Sequence, residues 1–119
     1  MSNLDELLSR LFSLLTPPHQ GRGGRNGSVV YPPGDDAPEE TAAFANNLME
    51  RAKRLLHVGE AARRRGYLVA PPPPFPEEDL KRIRTSFMGP DLEAFTELYY
   101  TATALVGALK ELPKQVTQD

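Results

Sequence analysis

The first sixteen residues constrain the fold more than any other stretch, because they encode a complete amphipathic helix with no sequence neighbour to pack on. Leu4, Leu7, Leu8, Leu11, Phe12, Leu14 and Leu15 fall on one side, and Asp5, Glu6, Ser9, Arg10 and Ser13 on the other. At the helical period the apolar set covers an arc of about 160°, the width of a helix that buries one face. Thr16-Pro17-Pro18 and a Gly/Pro-rich stretch follow, so this helix must dock at a distance, either on its own chain or on another. In the first case its leucines belong to the core. In the second, Leu4, Leu7, Leu8, Leu11, Phe12 and Leu15 form a partner-binding face of the helix-in-groove kind.

The segment 17–37 holds five glycines and four prolines and reads as a linker, with Val29-Val30-Tyr31 the only residues able to pin it down. A second helix is predicted from Pro38 to Arg65. Asp36 is the expected N-cap and forms an Asp-x-x-Glu box with Glu39; Gly66 offers a left-handed stop after Arg63-Arg64-Arg65. Phe44, Leu48, Ala52, Leu55, Gly59 and Ala62 recur at steps of three and four, giving a rod of about 42 Å at 1.5 Å per residue.

Pro71 to Pro74 then predict an extended strut across the helices. Phe75-Pro76-Glu77-Glu78-Asp79 opens a third helix with the stripe Leu80, Ile83 and Phe87, which Gly89-Pro90 ends. The last helix, from about Pro90 to Leu112, carries Leu92, Phe95, Tyr99, Ala102, Val106 and Leu109 on one side. Thr96, Tyr100, Thr103 and Gly107 form a second, mostly small-residue side, which predicts a helix covered on two sides at the centre of a bundle. The expected fold is therefore all-α: a small antiparallel bundle of three core helices (38–112) plus the amino-terminal helix (1–16), with Pro/Gly-rich loops and a polar tail from 113 to 119.

Composition narrows the function classes. The chain has 119 residues, no cysteine and a net charge of −2, which excludes disulfides and thiolate chemistry and speaks against a surface coated in basic residues. No apolar run is long enough to span a membrane, and Asp5, Glu6 and Arg10 interrupt what would be a leader sequence. The expectation is a cytoplasmic protein that does not bind membranes.

Chemistry is sparse. His19 and His57 are the only histidines, and no His/Asp/Glu set has metal-ligand spacing, so no metal or cofactor is expected. The acids cluster at the predicted starts of two helices, where the dipole explains them. Gly21-Arg22-Gly23-Gly24-Arg25-Asn26-Gly27 lacks the flanking strand and helix of a nucleotide-binding loop. No catalytic residues and no small-molecule substrate are expected.

From Thr41 to Gly66 six basic residues face two acidic ones. Arg51, Lys53, Arg54, Arg64 and Arg65 lie opposite or beside the apolar stripe, which makes them candidate nucleic-acid contacts. Glu50 with Arg54 and Glu60 with Arg64 have the spacing of intrahelical pairs, so the same face also reads as plain solvated surface. The leading expectation is a non-catalytic interaction or assembly subunit that meets a protein partner or a second copy of itself. The motive is more apolar helical surface than so short a chain should hide. The alternative is an accessory protein contacting nucleic acid through the basic face.

Overall fold

The computed structural model of this chain describes residues 3–16, 29–31 and 36–113. They form four helices: α1 (Asn3–Leu15), α2 (Glu39–Arg65), α3 (Glu77–Ser86) and α4 (Gly89–Lys110). The fold is an all-α bundle, as the periodicity predicts. Most of the expected linker 17–37, with His19 and the glycine loop, lies outside the described residues, as does the tail after Pro113.

Helix ends follow local chemistry, with one departure. Gly66 adopts φ 87° and its N–H donates to the Ala62 carbonyl at 2.8 Å, which stops α2 where a left-handed residue was expected. At the other end the cap is Pro38 rather than Asp36, and no side chain bonds there. A capping box needs a backbone N–H at the cap for the glutamate to reach back to, and proline has none. Glu39 and Glu40 still lie in the first turn and complement the dipole. Pro76 caps α3 in the same way, with three acids behind it. Between α3 and α4 the chain reverses at Gly89, whose φ of 64° suits glycine, and Pro90 occupies the first turn of α4.

The contacts define the topology. Phe44 of α2 and Phe95 of α4 flank Phe87, while beyond the far ends the Leu68 N–H donates to the Pro113 carbonyl at 2.9 Å. Thus α2 and α4 run parallel. Asp79 at the start of α3 reaches Arg51, and Phe87 just past its end reaches Phe44, so α3 runs the opposite way. Asp5 lies by Arg63 and Leu8 by Gly59, so α1 is also antiparallel to α2. The order is up-down-up-down, with α4 packed on all three other helices. Arg51 and Arg63 are twelve positions apart, or about 120° around α2 at 3.6 residues per turn, which puts α3 and α1 on opposite flanks of the α2/α4 pair.

This arrangement explains where the apolar surface goes. Leu4, Leu7, Leu8, Leu11 and Leu14 of α1 are buried together with the stripes of α2 and α4. Leu8 enters where α2 carries Gly59: a Cβ there would stand 2.7 Å from Leu8 Cδ2, with Leu105 and Leu109 just behind. Val30, 1% exposed, closes the far end of α1, and its N–H donates to the Leu14 carbonyl at 2.8 Å. The grooves on both flanks of α2/α4 accept one short helix each, and among the described residues Phe12, Tyr31, Val69, Met88 and Tyr100 are the large apolar side chains left exposed.

The second face of α4 is also corrected. Tyr100 is 52% exposed, Thr103 and Gly107 are exposed, and Thr96 is half-buried. Among the described residues the other three helices gather on the opposite side, from Thr101 round to Tyr99.

Candidate interaction surfaces

Docking α1 at home decides the fate of its candidate residues. Leu4, Leu7, Leu8 and Leu11 are buried, and Leu15 is half-buried against the same core. They are not available to a partner while α1 is seated. Phe12 is the exception at 51% exposed, because its position on the helix falls at the edge of the buried arc. It lines an open groove of about 420 Å³ between α1 and α2, with Asp5, Leu8, Ser9, Glu60 and Arg63. Arg63 Nε lies 3.5 Å from Asp5 Oδ1 across this groove, a pair with both side chains about half in solvent.

The basic face of α2 divides. Arg51 turns inward: its guanidinium donates to Asp79 Oδ2 at 2.8 Å and Asn47 Oδ1 at 2.9 Å, and stands 4.9 Å above the Phe75 ring. It joins α2 to α3 rather than facing a ligand. Lys53, Arg54, Arg64 and Arg65 are exposed, as is His57. Among the described residues the ion pairs are Arg51–Asp79 and Arg63–Asp5, not the expected Glu50–Arg54 and Glu60–Arg64. Glu60 turns instead to the α1 groove.

The proline strut forms a third surface feature. Pro72 and Phe75 are buried against α2, whereas Pro71, Pro73, Pro74 and Pro76 are exposed. The Tyr99 hydroxyl donates to the Phe75 carbonyl at 3.5 Å, a long contact that ties the strut to α4. Between strut and helix lies a notch of about 120 Å³ lined by Arg51, Arg54, Leu55, Val58, Pro72, Pro73 and Phe75.

Among the described residues no group of three or more His, Cys, Asp or Glu could hold a metal ion. No described helix is long and apolar enough to cross a membrane. The chain matches no protein-family model, no curated protein and no solved structure.

Proposed function

We propose that this protein is a non-catalytic interaction or assembly subunit, which meets a protein partner or a second copy of itself through the surface of a closed bundle. The observation that carries this reading is Phe12, a large aromatic half in solvent on a helix otherwise fully seated. An aromatic anchor over a groove, rimmed by Asp5, Glu60 and Arg63, has the composition of an interface hot spot: apolar centre, polar edge. Because α1 is wedged into the Gly59 gap, Phe12 is presented from a rigid platform, which lowers the ordering cost of association. The partner face proposed here is thus narrower than the leucine face of α1. The non-catalytic part of the reading is supported by residue content: two histidines far apart in the chain and no cysteine. Absence of cysteine also supports a cytoplasmic setting.

The test compares the wild-type chain with Phe12→Ala by light scattering for self-association and by affinity capture from the native source. The variant should keep its helicity and melting midpoint and lose the second copy or the captured protein. If it keeps every association of the wild type, the reading fails.

A second reading keeps nucleic acid as the partner, favoured by Lys53, Arg54, Arg64 and Arg65 all remaining exposed on α2. Phosphate contacts release counterions, so such binding must weaken steeply with salt. Binding through Phe12 should change little over the same titration.

A further inference from the structure

The six residues Pro71-Pro72-Pro73-Pro74-Phe75-Pro76 connect Ala70 to α3. Burial along them repeats every three residues: Pro72 and Phe75 are inside, Pro71, Pro73, Pro74 and Pro76 outside. Three residues per turn is the period of polyproline II, and Pro76 at its end has φ −70° and ψ 155°, inside that basin. One of the three edges of this left-handed helix is therefore turned inward, where Pro72 and Phe75 bound the notch together with Leu55 and Val58 of α2. The other two edges, Pro71/Pro74 and Pro73/Pro76, face solvent.

We propose that this strap is a docking ridge for a protein module whose groove is lined with aromatic side chains and rimmed by carboxylates. Modules of that kind read a polyproline II segment by its ridges of exposed prolines, and they profit from a ligand that is already extended. Here the conformation is held on both sides, by Pro72 and Phe75 against α2 and by the Leu68 and Tyr99 hydrogen bonds flanking the strap. Little chain entropy remains to be lost on binding. Charge selects the partner's rim and its direction. Arg65 adjoins Val69 and Ala70, and Arg54 adjoins Pro72 and Pro73, so the first half of the strap is flanked by cations. Glu77 and Glu78 follow Pro76, so the second half ends in anions. A groove with acids toward the Pro71 end fits one way round only. The notch between Pro72, Pro73 and Arg54 offers space beside the ridge for one partner side chain. The strap lies on the α3 flank of α2, away from Phe12, and so is independent of the α1 groove.

The test is calorimetric titration of the full chain with purified SH3 and WW modules, some with acidic and some with neutral groove rims. Acidic-rimmed modules should bind. Pro71→Ala/Pro74→Ala should weaken that binding at least tenfold, and Arg54→Glu severalfold without altering the strap itself. Arg54→Glu should keep the wild-type thermal midpoint, because its side chain is exposed. The double proline variant should keep the fold but melt somewhat lower, because alanine leaves the unfolded chain more freedom. Phe12→Ala should bind as the wild type does. Failure of every module to bind overturns the proposal. So does binding that survives both substitutions, or binding that Phe12→Ala removes, which would assign it to the α1 groove.

Discussion

The two halves of this bundle are held by different chemistry. Where α1 packs on α2 and α4, the contact is aliphatic and depends on shape: leucines from α1 and α4 close around Gly59 of α2, with one half-exposed ion pair, Asp5–Arg63, at the edge. Where α3 packs, the contact is aromatic and cationic. Phe87 stacks on Phe95 with ring centroids 4.3 Å apart and on Phe44 at 6.3 Å, Arg82 caps the Phe44 ring at 4.5 Å, and Arg51 bonds Asp79 above Phe75. The difference follows from length and sequence context. The ten-residue α3 is tied in by the proline strap before it and a two-residue connection after it, and it offers few apolar positions, so directional contacts supplement a small burial. By contrast, α1 is thirteen residues with a long connection behind it, and five buried leucines do the holding. One end should therefore respond to volume changes and the other to loss of specific partners.

The largest expected effects are in the core. Leu11→Ala and Phe95→Ala should each lower unfolding free energy by about 3–5 kcal/mol, since both side chains are fully enclosed and leave cavities. The two should differ in how the loss is distributed. Phe95 sits on α4, which touches every other helix, so its truncation should lower hydrogen-exchange protection throughout. Leu11→Ala should open α1 more than α3, and equal loss of protection in both helices would break the comparison between the two ends.

Arg51→Ala comes next, at about 1–3 kcal/mol by denaturant titration, because it leaves the mostly buried Asp79 without its donor. Gly59→Ala should be close to neutral, within about 1 kcal/mol. The better helix propensity of alanine offsets a contact that the tip of Leu8 relieves by turning. Gly59→Phe has no such escape and should displace α1. Asp5→Asn should have the smallest effect, below about 1 kcal/mol and fading with added salt, as half-exposed ion pairs do. A larger loss there would mean that charge rather than shape seats α1.

Which of these features could be read in the sequence follows from how local each signal is. The stripes of α2 and α4, the Gly66 stop and the Pro90 start depend on residues a few positions apart, and they stand where expected. The destination of α1 does not, because periodicity says that a face is buried and not by what. Gly59 was the available clue: a glycine inside an apolar helical stripe marks a close approach, here of Leu8. A wheel of α2 alone puts Arg51 at the rim, as a surface cation. Its partner Asp79 is 28 positions away and has a local explanation as a dipole complement. The small-residue face of α4 carried a signal that fits both a covered and an open surface, and only the placement of α1 and α3 separates them.

The central claim is that α1 closes on its own chain and leaves Phe12 outside. Methyl–methyl NOEs in a sample shown to be monomeric by light scattering test it most directly. Seated α1 predicts contacts from Leu8 to Leu105 and Leu109, which converge at Gly59, and none from the Phe12 ring to Leu105 or Leu109. Absence of the Leu8 contacts, with α1 amides exchanging at the rate of an unfolded peptide, would contradict it.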